Sequence, residues 1–100
     1  MTLTADKCIL ILGCFDTKAE VFSFLRTCIL SSSEKVIMIN TGVLGTTDLF
    51  HIDFESDVVA LEAGYNISDL RRDRDRGHAM EIMGKGAARI VSKLVAQGLV

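Results

Sequence analysis

Gly13-Cys14-Phe15-Asp16-Thr17-Lys18 is the stretch of this 100-residue chain best suited to chemistry. It lies between an apolar run and a segment of helical periodicity. Free amides at a helix start, reinforced by the helix dipole, attract anions. Lys18 adds a charge-assisted contact suited to phosphate. The spacing matches neither the P-loop nor the GxGxxG fingerprint. The competing role for Asp16 and Thr17 is to cap a helix. Thr17-Lys18-Ala19-Glu20 has capping-box spacing, in which the Thr17 hydroxyl accepts from the Glu20 amide and the Glu20 carboxylate returns to the Thr17 amide.

Three other stretches carry weaker signals. In Asn40 to Thr47, Gly42 and Gly45 would let backbone approach a ligand closely, although a plain connecting loop fits equally well. Arg71-Arg72-Asp73-Arg74-Asp75-Arg76 offers four arginines for phosphates. Asp73 and Asp75 lie among them, and a solvated charge cluster is the commoner outcome. Arg76-Gly77 stands out because glycine is a poor helix former in a first turn, which points to a close approach. Gly84 and Gly86 each cost a helix about 1 kcal/mol against alanine, which implies close packing on another element or subunit. His51 and His78 are isolated, and His51 with Asp53 is too small a set for a metal. No catalytic triad and no paired carboxylates have recognisable spacing.

The elements that would position these residues follow from hydrophobic pattern. Cys8 to Leu12 is apolar on both faces and suits a buried parallel strand, with Gly13 permitting a sharp exit. Val21, Phe22, Leu25, Cys28 and Ile29 mark one face of a helix that runs to about Leu30 and ends at Ser31-Ser32-Ser33. Val36 to Ile39 is a second strand, parallel to the first through a crossover helix. Both polar loops then lie at the carboxyl ends of strands, where open parallel sheets bind ligands. A short helix is predicted over Phe54 to Ala63, stopped by Gly64, and a further turn starts in Asn66 to Leu70. A long helix runs from about Asp75 to Gln97. Its stripe is Met80, Met83, Ala87, Ile90 and Leu94, widened by Ile82, Val91 and Val95, and Gly98 caps it. Leu99 and Val100 are apolar residues of the kind that begin a next strand.

Composition narrows the function classes. The residues are 49% hydrophobic and 24% charged, the mix of a globular domain slightly rich in apolar groups. One domain spanning residues 1–100 is expected, and its apolar excess in so short a chain suggests an oligomer or a piece of something larger. A net charge of −2 gives no field to draw nucleic acid or acidic membrane. Five Phe, one Tyr and no Trp make a poor base-stacking platform. Cys8, Cys14 and Cys28 form no regular framework, so reduced cysteines packed as small apolar residues in a cytoplasmic protein are expected. Leu12-Gly13-Cys14 faintly imitates a lipoprotein cleavage site. Its apolar core is too short, and Asp6 stands where basic residues belong. No stretch has transmembrane length.

The order Ile9-Leu10-Ile11-Leu12-Gly13, Asp16-Thr17-Lys18, Glu20 and Phe24-Leu25 resembles the amino-terminal ATP-binding domain of the tomato mosaic virus resistance protein family. Gly42-Val43-Leu44-Gly45 agrees, as do Asp53 with Val58, Ala60, Ala63 and Gly64, and Asp75-Arg76-Gly77 with Met83, Gly86 and Ala87. The resemblance covers nearly the whole chain and implies a Rossmann-like α/β domain, a short parallel sheet flanked by helices. It implies ATP as ligand, with or without magnesium. Gly13, Asp16, Thr17 and Lys18 would lie nearest it, supported by Gly42 and Arg76. Two departures matter. Family members commonly carry aspartate where this chain has Asn40, which removes a charge near the expected site. Family domains also continue past a segment like Gln97 to Val100 into a glycine-rich strand–loop–helix that should hold phosphates. The expectation is therefore an incomplete domain.

Three functions compete. The leading one is a nucleotide-binding module without catalysis of its own. The second is an interaction subdomain without ligand, its sheet edge and glycine-bearing helix pairing in a homo-oligomer or with the remainder of the domain. The third is an enzyme acting on a phosphorylated or carboxylated metabolite, for which the chain offers no nucleophile or base.

Overall fold

The computed structural model describes residues 7–100, so Asp6 lies outside it. The elements are β1 (Cys8–Gly13), α1 (Ala19–Leu30), β2 (Lys35–Asn40), α2 (Ser56–Glu62), α3 (Ile67–Asp73) and α4 (Arg76–Ala96). β1 and β2 form a two-stranded parallel sheet, with Cys8 opposite Lys35 and Gly13 opposite Asn40. This is an α/β fold, a short parallel sheet flanked by helices, and it fits an incomplete Rossmann-like domain. No helix among the described residues is long and apolar enough to cross a membrane.

Side chains alternate across a strand, so an apolar run feeds both faces. Leu10, Ile37 and Ile39 pack toward Val59, Met83 and Ile90. Ile11, Val36 and Met38 pack toward Phe15, Phe22, Ile29 and Phe50. Phe15 is the centre of that second cluster, meeting Phe22 and Phe50 edge-on at centroid distances of 5.1 and 5.0 Å. Gly13 does not turn the chain. It remains in β1, and a Cβ there would lie 2.1 Å from the Phe22 ring. Its missing side chain makes room for Phe22.

The long helix forms where expected, but its buried stripe is rotated. Ala79, Ile82, Met83, Gly86, Ala87, Ile90 and Leu94 face inward, whereas Met80 and Val95 are exposed. The rotation follows from Gly86. A Cβ on Gly86 would stand 1.9 Å from the Val59 carbonyl oxygen, so the α2 backbone lies directly on α4 at this point. The partner that accounts for Gly86 is thus α2 of the same chain. Gly84 differs, with nothing within 4 Å of the position of a Cβ.

The helical face expected on α1 is only partly used. Phe22 and Ile29 pack on the sheet, but Val21 and Leu25 are 64% and 43% exposed and no α1 residue is fully buried. Two strands, spaced about 4.8 Å apart, are too narrow to cover a wider stripe on a helix about 10 Å across. Cys14 and Cys28 are also exposed, so they are not packed as core residues. No disulfide links Cys14 or Cys28 among the described residues.

Helix ends are set by local geometry. Asn66 and Asp75 cap α3 and α4 with side-chain acceptors for the Ser68 and His78 amides. Gly64 and Gly98 adopt φ of +82° and +77° just past α2 and α4, the left-handed conformation that glycine favours. Leu99 and Val100 form no strand, although the Leu99 carbonyl accepts from the Cys8 amide.

Candidate functional site

A cleft of about 590 Å³ opens at the carboxyl ends of both strands. Cys14, Asp16 and Thr17 enter it from the turn after β1, and Thr41 to Leu44 from the loop after β2. Facing them are Leu70 and Arg71 of α3, Arg74 and Asp75 of the α3–α4 junction, and Arg76, Ala79 and Met80 of α4. The order of elements makes the cleft. β1 and β2 end side by side, and the α3–α4 junction crosses the opening they leave.

The strand-end wall is held together by Asn40. This residue is fully buried, and its Oδ1 accepts from the Phe15 and Gly42 amides at 3.1 and 2.9 Å. Its Nδ2 donates to the Gly45 carbonyl and to Glu55 Oε1 at 3.0 and 3.1 Å. Glu55 Oε2 in turn accepts from the Thr46 hydroxyl. One amide therefore ties the turn after β1 to both ends of the loop after β2. An aspartate has no N–H with which to make the second pair of bonds. Asn40 is a structural pin inside the wall, a role the sequence reading of it as one charge fewer near the site did not include.

Asp16 packs against the same loop. Its Oδ2 accepts from the Leu44 amide at 3.0 Å, while Oδ1 is buried without a hydrogen-bond partner among the described residues. A Cβ on Gly42 would fall 2.3 Å from that Oδ1. Gly42 is thus required by Asp16, and it does not have to be explained by a ligand. Thr17 lies in the turn closed by the Thr17 and Lys18 amides on the Cys14 carbonyl. The expected capping box is absent. Lys18 occupies the N-cap and no side chain caps α1, because helical geometry starts one residue later than the Thr17–Glu20 spacing requires.

The opposite wall is cationic. Arg71 donates through Nε to the Val43 carbonyl, which anchors the loop to α3. Arg72 is turned aside into an ion pair with Asp69. Arg74 ends α3 with φ of 54°, a left-handed backbone that costs a residue with a Cβ about 1 kcal/mol or more. Arg74 and Arg76 make no ion pair and no side-chain hydrogen bond among the described residues. The arginine run is therefore neither a uniform solvated cluster nor a uniform site. Three of its arginines line the cleft, and two of these have no side-chain partner among the described residues. Guanidinium groups converging on an opening can hold phosphate or carboxylate by paired N–H···O bonds. Gly77, behind Arg76, is not crowded, since a Cβ there would meet only Asp75 Oδ1 at 3.7 Å.

Of the six residues selected from sequence, Asp16, Thr17, Gly42 and Arg76 come together around the cleft. Gly13 lies under Phe22, and Lys18 is exposed at the start of α1, outside the cleft lining. Sequence inspection missed Asn40 as a scaffold, Arg74 as a lining residue and Arg71 as the loop anchor. The signal for the arginines was the run itself, read as one cluster. Nothing in the spacing separates Arg72 from its neighbours until α3 gives each a direction. His51 and Asp53 do meet, at 3.4 Å, but no group of three or more His, Cys, Asp or Glu among the described residues could hold a metal.

Comparison with known proteins adds a family. Residues 7–100 match the model of the N-terminal domain of an uncharacterised protein family, UPF0261. The chain belongs to that family. It is similar to a UPF0261 protein of Clostridium tetani (strain Massachusetts / E88), with 42% identity over 89 residues. That match covers 89% of this chain and 22% of the relative, so the chain spans about a fifth of the length of that protein. No solved structure matches the chain.

Proposed function

We propose that this UPF0261 N-terminal domain is a nucleotide-binding module that takes ATP in the cleft at the strand ends. The observation that carries the reading is that Arg74 and Arg76, which have no side-chain partner among the described residues, line the cleft at the strand ends beside the anchored Arg71. The cleft volume of about 590 Å³ falls within the usual range for small-molecule sites. Its position outside the carboxyl ends of parallel strands is where such sheets take ligands. The resemblance of the chain to the ATP-binding domain of the tomato mosaic virus resistance protein family supports the same ligand. Phosphates would lie against the arginines. Val43, Leu44, Leu70 and Met80 supply apolar lining for the rest of the molecule.

Magnesium fits only as a companion of the phosphates. Asp16 and Asp75 are the carboxylates in the lining. Asp75 is engaged as a helix cap. Magnesium commonly binds through one or two carboxylates together with phosphate oxygens and water. Asp16 would be the residue to hold it. No residue here is assigned a catalytic role. A cytoplasmic setting, consistent with the exposed thiols of Cys14 and Cys28, belongs to the same proposal.

Calorimetric titration tests the reading. ATP is expected to bind saturably to the chain or to a full-length family member. Arg74→Ala together with Arg76→Ala is expected to weaken it at least ten-fold. Absence of ATP binding in the full-length protein contradicts the proposal.

A second reading rests on α1. Val21, Phe24, Leu25 and Cys28 form an outward apolar stripe, which suits an interface with a second copy or with the rest of a longer polypeptide. Sedimentation of wild type against Phe24→Ser tests it, because an α1 interface predicts that the variant loses any dimer.

A further inference from the structure

The arginine-lined cleft does not end at Met80. Cys14, Thr41 and Met80 also line a second hollow, a groove of about 620 Å³ between β1 and α4. Leu12 forms its β1 side, and Gly84, Ala88 and Val91 lie along its α4 side. The two hollows are therefore continuous, but their chemistry differs. The cleft carries three arginines, whereas no charged side chain among the described residues lines the groove.

These features follow one another along α4. Arg76 opens the helix, and Met80, Gly84, Ala88 and Val91 follow at steps of three or four residues, which share a helix face. From Arg76 to Val91 the helix rises about 22 Å. Gly84 costs α4 stability, and no neighbour among the described residues requires it, since a Cβ there would meet nothing within 4 Å. Its missing side chain keeps the groove open. The terminal phosphate of ATP is anionic, and burying a charge without a partner is unfavourable, so ATP fills the cleft and leaves the groove empty. A ligand that fills both has phosphates at Arg74 and Arg76 and an uncharged chain beyond them.

We propose that cleft and groove form one site for a nucleotide whose phosphates carry an apolar acyl chain, the chemistry that an acyl coenzyme A represents. The proposal rests on the nucleotide-binding reading of the cleft and narrows the ligand class within it. The nucleoside lies against Val43, Leu44 and Leu70, and the phosphates pair with Arg74 and Arg76. The acyl chain passes Met80 and runs over Gly84 and Ala88 toward Val91. Charge at one end and apolar surface at the other select this amphiphile over a bare nucleotide, and over a fatty acid lacking the nucleotide.

Calorimetric titration with ATP, acetyl-CoA, decanoyl-CoA and decanoate tests the proposal, on this chain and on the full-length Clostridium tetani protein. Each methylene taken out of water adds affinity, so decanoyl-CoA is expected to bind at least ten-fold more tightly than acetyl-CoA in both proteins. Gly84→Leu and Ala88→Leu, which fill the groove, are each expected to bring that ratio close to one. Equal binding of the two thioesters, with ATP still bound, overturns the proposal and leaves the nucleotide reading standing. Failure of ATP and of both thioesters to bind overturns both. A chain-length gain without ATP binding upholds the acyl nucleotide and removes ATP as a ligand. Decanoate binding as tightly as decanoyl-CoA overturns the joint site, as does decanoyl-CoA affinity unaltered by Arg74→Ala together with Arg76→Ala. A gain seen in this chain and absent from the full-length protein overturns it as well. A ratio undiminished in both groove variants overturns the placement of the chain along α4.

Discussion

The two walls of the cleft are built in opposite ways. The strand-end wall is knotted through a buried amide, with Asn40 satisfied by four hydrogen bonds and Asp16 pressed against Gly42. The arginine wall is loosely held. Arg71 has one anchor, and Arg74 and Arg76 have none among the described residues. Side chains already committed to protein partners set the shape of a cavity, whereas uncommitted charges keep their capacity for a ligand. The strand-end wall therefore fixes the cleft, and under the proposed function the arginine wall is the one that would contact the ligand. Substitutions should divide accordingly, with stability lost on one wall and affinity lost on the other.

Asn40→Asp should have the largest effect. It removes both donated bonds and sets a carboxylate against the Gly45 carbonyl and the Glu55 carboxylate. A buried group left unsatisfied costs about 1–3 kcal/mol, and more when charged. A loss of about 3 kcal/mol in a urea titration is expected. Gly42→Ala comes next, because the new methyl must displace a carboxylate tethered to Leu44. Overpacking of this kind costs about 1–3 kcal/mol, and the same titration measures it. On the other wall, Arg74→Ala or Arg76→Ala alone should leave the urea midpoint nearly unchanged and weaken ATP about ten-fold, as read by calorimetry. Lys18→Ala should alter neither quantity appreciably, since an exposed residue without partners contributes within about 0.5 kcal/mol. If Lys18→Ala weakened ATP as much as Arg76→Ala, the division between walls would be misplaced.

Much of the fold was legible in the sequence for a simple reason. Cys8 to Leu12 and Val36 to Ile39 are apolar on both faces, and only a covered parallel sheet uses such runs. The helix ends at Leu30, Gly64 and Gly98 were equally legible, because serine runs and left-handed glycines act locally. The stripe of α4 was not legible to the residue. Its rotation is set by the contact between Gly86 and the Val59 carbonyl, a tertiary fact. The face of α1 was overestimated because periodicity shows which residues are apolar and says nothing of how wide a sheet awaits them. That Asp16, Thr17 and Gly42 fall around one cleft was legible because a parallel strand brings its following loop to a known edge. The scaffold role of Asn40 was not legible because nothing in one dimension shows that a side-chain amide will be buried and fully bonded. The glycines taught a related lesson. Gly13 and Gly42 serve Phe22 and Asp16, so two positions suggestive of ligand approach are explained by neighbouring side chains.

Backbone amide chemical-shift mapping with ATP tests the central claim most directly. The largest changes are expected at Arg74, Arg76, Gly77 and Thr41 to Leu44, on both walls of the cleft, with little change in α1 from Val21 to Leu30. Shifts confined to α1 or to the groove between β1 and α4, with Arg74 to Gly77 unmoved, would contradict it.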